Sequence, residues 1–151
     1  PSVIFFLAKQ KGYSAEEISR ILNKESGMKA LTGYTDMRDV DAQCEKGAAD
    51  AILGSEMYAY RIKQFIGSYI ATLNGLDAIV FTAGIGENDD KIRSMSCKNM
   101  EVFGIELDEE KNAVRSPEIR EVNKPDAKVK ILVIPTNEEL EIARQAYDLV
   151  K

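Results

Sequence analysis

The sequence predicts an α/β domain, and three stretches predict it. Residues 78–82 (AIVFT) and 129–134 (VKILVI) are short apolar runs that read as buried strands, the second as a parallel one. Each runs into polar residues suited to open a helix. Between 47 and 74, Ala48, Ala51, Ile52, Ser55, Ala59, Ile62, Phe65, Ile66, Tyr69, Ile70 and Leu73 recur at three- and four-residue steps. That is the pattern of a long amphipathic helix.

The remaining elements follow in chain order. Residues 1–10 carry Val3, Ile4, Phe5, Phe6 and Leu7 and read as a helix that Gly12 ends. Ser14 and Glu17 have capping-box spacing, and Ile18, Ile21 and Leu22 share one face of the short helix behind them. Residues 23–33, polar and glycine-bearing, read as loop and turn. Thr35 or Asp36 is placed to cap another helix, with Asp39 in its positive first turn. Within the long helix, Gly54 and Gly67 each cost about 1 kcal/mol against alanine and point to close packing. Asn74-Gly75 supplies its left-handed stop. After the first strand comes a glycine turn, Gly84-Ile85-Gly86, with Asn88 as the next cap and Asp89 and Asp90 in the first turn. Ile92, Met95 and Met100 give that helix its inner face. Residues 102–112 are ambiguous, and 116–122 read as a strand interrupted early by Pro117. Thr136 and Glu139 form a second capping box, which leaves Glu138 free; Leu140, Ala143, Tyr147 and Val150 mark one face of the last helix.

Composition bounds the function. The chain has 151 residues, 44% hydrophobic and 30% charged, as a soluble single domain would. A net charge of -5 argues against non-specific nucleic-acid binding. No apolar run approaches a membrane span, and no secretory signal is present. Cys44 and Cys97 lack metal-type spacing and read as idle thiols of a reducing, cytoplasmic compartment. With no histidine, a Ser-His-Asp or Cys-His catalyst cannot exist within this sequence.

The chemistry gathers at residues 77–90 (DAIVFTAGIGENDD). A strand, a glycine turn and a helix start are a common way to hold a nucleotide: glycine admits close approach, and the helix start offers unpaired N–H groups. GIGEND is neither G-x-G-x-x-G, since Asp89 holds the last glycine position, nor a P-loop. The pairing of FTAGIGEN with VIPTNEEL is the stronger signal. If their strands are neighbours, both junctions open at one sheet edge, where ligands of α/β sheets collect. Glu138 would then approach what the glycine turn holds, and one carboxylate beside phosphates suits magnesium. For Arg38 two readings stay open: a helix-start residue, or a guanidinium facing a ligand.

Residues 81–88 (FTAGIGEN), 134–140 (IPTNEEL) and 35–40 (TDMRDV), in this order and separation, together with the opening PSVI, resemble the C-terminal motifs of the acetate kinase family. The resemblance covers essentially the whole chain. It implies an α/β fold of the ribonuclease-H-like type, shared with actin, hexokinase and Hsp70-like ATPases. It also implies the reversible phosphorylation of acetate by ATP and Mg2+ to acetyl phosphate and ADP. Carried over by residue, Asp36, Met37 and Arg38 form one nucleotide segment, and Gly84, Ile85, Gly86, Glu87 and Asn88 a second. Glu138 is the magnesium-associated glutamate. No catalytic residue is expected in this chain. The acyl pocket and the histidines and arginines that steady the phosphoryl would lie upstream, so the domain is expected to be truncated at its N-terminal side and inactive alone. The last helix, 137–150, would pack on the missing half. Homodimerisation through the long helix is implied as well, and an incomplete sheet would add apolar surface to it. Propionate and butyrate kinases fit these residues equally, and a non-catalytic nucleotide-sensing module of the same fold stands as the alternative from another class.

Overall fold

The computed structural model describes residues 2–151, a mixed α/β chain in two compact units, one ending at Met57 and the other Tyr58–Lys151. The first unit is helical. Its α1 (Ser2–Lys11) buries no residue, and the Ser14–Glu17 capping box starts α2 (Ala15–Arg20), whose Ile18 is buried. Residues 23–33 are not a loop. A π-helical turn (Ile21–Glu25) continues α2, and α3 (Met28–Thr32) follows. Met-Lys-Ala-Leu-Thr favours helix, and the flanking Gly27 and Gly33, both at positive φ, punctuate it rather than dissolve it. Asp36 accepts the Arg38 amide and so caps α4 (Met37–Glu45), which turns Val40 inward.

The long helix is α5 (Ala49–Leu73), stopped by Asn74 in the left-handed region at φ 56°. Of its two glycines, Gly54 is packed: a Cβ there would collide with the Thr32 methyl. Gly67 has nothing within 4 Å, so the close packing expected there does not occur.

The second unit is built on a three-stranded sheet of order β1-β3-β2. β1 (Ala78–Phe81) runs parallel to β3 (Lys130–Val133), with Ala78 opposite Lys130 and Phe81 opposite Val133. β2 is only Arg120–Glu121, antiparallel on the other side of β3, because the chain bends at Pro117 and Glu118 before it can pair. Val129, just before β3, and Ile131 and Val133 on it are fully buried, while Lys130 faces outward and pairs with Glu121 at 2.8 Å. The strand therefore buries one face completely, where two were expected. Its buried face joins Phe81, Cys97, Met100, Ile105 and Val122, and Ile66 and Ile70 of α5 close the core.

Between the strands lie α6 (Ala83–Asn88), α7 (Asp90–Cys97), a 3₁₀ turn (Glu101–Phe103) and α8 (Glu109–Ala113). α9 (Glu138–Val150) ends the chain. Two caps shift by one residue. Asp89 rather than Asn88 caps α7, since the Asn88 amide donates to the Gly84 carbonyl within α6. Asn137 rather than Thr136 caps α9, accepting the Leu140 amide at 2.9 Å. The second capping box is absent because Thr136 is engaged elsewhere.

Candidate functional site

β1 and β3 end at the same height. The Ile134 amide donates to the Phe81 carbonyl at 2.9 Å, and the Thr82 hydroxyl to the Ile134 carbonyl at 2.7 Å. Parallel pairing in this register sends both chains out of the sheet side by side. The expected glycine turn is instead the short helix α6. Its positive φ falls on Ala83 (58°), and neither Gly84 nor Gly86 has one. The two glycines serve different ends. A Cβ on Gly86 would stand 3.2 Å from the Phe81 carbonyl carbon, so glycine there lets α6 lie against the end of β1. A Cβ on Gly84 would meet nothing within 4 Å.

Gly84 faces a cleft of about 490 Å³, lined also by Glu87, Thr136, Asn137, Glu138 and Glu139. The two junctions that the sequence singled out thus share one cavity. Oε1 of Glu87 accepts both the amide (2.8 Å) and the hydroxyl (2.9 Å) of Thr136. The bond from the Thr136 amide holds the Glu87 carboxyl below the usual range, with smaller help from the Thr136 hydroxyl, the Ala83 amide and the Arg120 charge; partial desolvation opposes them. Glu138 is exposed in the first turn of α9, and its side chain makes no hydrogen bond or ion pair among the described residues. A free carboxylate at the mouth of a polar cleft fits magnesium, which keeps several waters and takes one or two carboxylates with substrate phosphates. Among the described residues no group of three or more His, Cys, Asp or Glu forms a self-sufficient metal cage.

Behind the cleft stands a residue that the sequence reading passed over. Arg93 is 2% exposed. Its Nη1 donates to the carbonyls of Gly86 (2.9 Å) and Glu87 (3.0 Å), the last turn of α6. Its Nε and Nη2 donate to the side chain (2.7 Å) and carbonyl (2.8 Å) of Asn112 on α8. Asn112 in turn donates to the Asp90 carbonyl. Arg120 adds a bond of 3.1 Å to the Glu87 carbonyl. The signal was present: Arg93 lies three and four residues before Ser96 and Cys97, on the inner face of α7. Ile85, Gly86 and Asn88 share α6 but do not line this cleft; Asn88 and Glu87 border a neighbouring cavity of about 330 Å³ with Arg115 and Arg120.

The other predicted segment belongs to the first unit. Asp36 is the cap of α4, Met37 is half-buried, and the Arg38 side chain is 89% exposed with Nη2 2.5 Å from Asp36. Hydrogen bonds from the Arg38 side chain and amide hold the Asp36 carboxyl at about 2. The capping reading holds for Asp36, and the Arg38 fork is closed back on that cap.

The Acetokinase family model matches residues 1–144. The chain belongs to the acetokinase family. It is 55% identical over 150 residues to the acetate kinase of Flavobacterium johnsoniae, which covers 99% of this chain and 38% of that protein. Among solved structures it is similar to Porphyromonas gingivalis acetate kinase, with a TM-score of 0.88 and 37% identity, covering 100% of this chain and 38% of that one. It is also similar to a propionate kinase from Francisella tularensis, with a TM-score of 0.84 and 38% identity, covering 95% and 36%. The chain spans about 38% of the length of the curated relatives it matches.

Proposed function

We propose that this chain is the C-terminal, nucleotide-binding part of an acetate kinase with a ribonuclease-H-like fold. The full enzyme would move the γ-phosphoryl of ATP reversibly to acetate, giving acetyl phosphate and ADP. One observation carries the reading: two parallel strands end level, and the cleft beyond them takes in Gly84 and a free Glu138. Ligands of α/β sheets gather at such a place. In this reading the segment 84–88 forms the nucleotide side of the cleft, Gly84 leaving room for the ligand, and Asp36, Met37 and Arg38 are a separate nucleotide segment of the first unit. Glu138 holds Mg2+, which neutralises phosphate charge when bound. Phosphoryl transfer also needs cationic groups around the moving phosphoryl. The cleft is lined by acids and small polar groups, so turnover requires residues beyond this chain, and the chain alone is expected to form no acetyl phosphate.

The likeness to a propionate kinase supports a second reading, with propionate as acceptor. A panel of short carboxylic acids given to the full-length enzyme separates the two.

Calorimetric titration of the chain with ATP, with and without magnesium, tests the nucleotide site. Gly84→Val is the informative variant because it fills the cleft without striking a neighbour; Gly86→Val would push α6 off Phe81. Binding that strengthens with magnesium, is lost in Gly84→Val and loses the magnesium gain in Glu138→Ala is the expected result. A folded chain that binds no ATP, or binds it unchanged after Gly84→Val, would overturn the reading.

A further inference from the structure

We propose that Glu87 is a positioning residue: its carboxylate latches the two strand-to-helix junctions together and so sets Glu138 opposite Gly84, instead of touching the nucleotide. The inference rests on the reading of the cleft given above and deepens it.

Glu87 is held at both ends. Its carbonyl receives Arg93 and Arg120, which fixes the last turn of α6 from behind. Its Oε1 takes both donors of Thr136, across a sequence separation of 49 residues. Thr136 lies just before the Asn137 cap and two residues before Glu138, so fixing its amide fixes where α9 begins. No other side-chain hydrogen bond recorded among the described residues joins α6 to the start of α9. A carboxylate makes a poor partner for a polyphosphate, since like charges repel and the repulsion grows as water is excluded. Turned onto Thr136, the same carboxylate has its charge met by hydrogen-bond donors and its reach spent on geometry. Thr136 would then owe its place to this contact, which is why it does not cap α9.

The latch predicts an uneven effect on binding. Opening it moves Glu138 relative to Gly84, which weakens the magnesium-dependent part of nucleotide binding. The magnesium-free part rests on α6, which Arg93 holds in place. General loosening of the fold would lower both.

The test compares the 151-residue chain with Glu87→Ala, Thr136→Val and Thr136→Ser. The probes are ADP alone and ADP with magnesium, and amide hydrogen exchange is read at Thr136 and Ile134 without ligand. Glu87→Ala should lose about tenfold of the magnesium-dependent gain, the scale on which groups orienting a metal ligand act, and keep the affinity for ADP alone. Thr136→Val should lose less, and Thr136→Ser, with both donors, should match the parent. In Glu87→Ala the Thr136 amide should exchange faster while Ile134, bonded to Phe81 in the sheet, stays protected. An unchanged magnesium gain, an equal loss with and without magnesium, or an unchanged Thr136 exchange rate would each overturn the latch. If the parent chain binds no ADP, the nucleotide reading fails, and the exchange measurement decides the latch by itself.

Discussion

Cys97 shows how far one residue's environment can depart from what its letter suggests. It is 3% exposed, and burial pushes its thiol up to about 12. The folded chain keeps this proton while the unfolded chain loses it near an ordinary thiol pKa of about 8.5. Its contribution to stability is therefore complete below that pH and is lost as pH rises towards the folded value. The unfolding free energy of the parent, from urea titrations, should fall between roughly pH 9 and 11 more steeply than that of Cys97→Ala, with a difference in slope approaching about 1.4 kcal/mol per pH unit. Cys44, half-buried with its sulfur 3.5 Å from the Ser55 hydroxyl, should label first with a thiol reagent at pH 8. Glu87 and Thr136 teach a related lesson about legibility. Both were visible as polar residues at helix starts, and the sequence assigned Thr136 to a cap and Glu87 to a ligand. Their bond to each other joins positions that only the pairing of β1 with β3 brings together.

Elements with a strong period were legible, and elements fixed by distant partners were not. α5, β1 and β3 came close to their expected bounds because burial of apolar residues dictates them locally. β2 shrank to two residues because its pairing depends on a bend at Pro117, and α3 was missed because its glycines lie at its ends. The cleft itself followed from placing two junctions on neighbouring parallel strands. Its support did not, since Arg93 ties α6, α7 and α8 through one buried guanidinium. Replacing it takes the guanidinium bonds from the Gly86 carbonyl and from the side chain and carbonyl of Asn112, and leaves the Glu87 carbonyl with Arg120 alone. Arg93→Met should therefore cost about 3 kcal/mol in urea unfolding, and Arg93→Lys about half as much, since one ammonium cannot span the fork of the guanidinium. Equal stability of all three forms would remove Arg93 from this role.

At the scale of the molecule, several helices keep apolar faces in solvent. Phe65, Tyr69 and Leu73 of α5 are each more than half exposed and lie one turn apart, with Phe65 and Tyr69 stacked at 6.4 Å between ring centres. Leu140 and Tyr147 of α9 are exposed as well. A contiguous apolar stripe of this kind marks an interaction surface. The proposed pairing of two copies through α5 predicts a dimer in sedimentation velocity, with Phe65→Glu shifting it to monomer while the helical circular dichroism is retained. A monomeric parent chain would remove α5 as the contact. The two units themselves were not foreseen, since the amphipathic pattern of 47–74 runs unbroken across the boundary at Met57.

The level ending of β1 and β3 also bears on time. Thr82 and Ile134 meet across a sequence separation of 52, whereas the helices of the first unit close over a few residues each. Loop closure over such a span is slow compared with local helix formation. The cleft cannot exist on the ribosome until the second strand has emerged, and every shorter nascent chain lacks it. A ligand that fits the cleft would thus bind only chains whose sheet is already paired, and its capture would time the completion of folding.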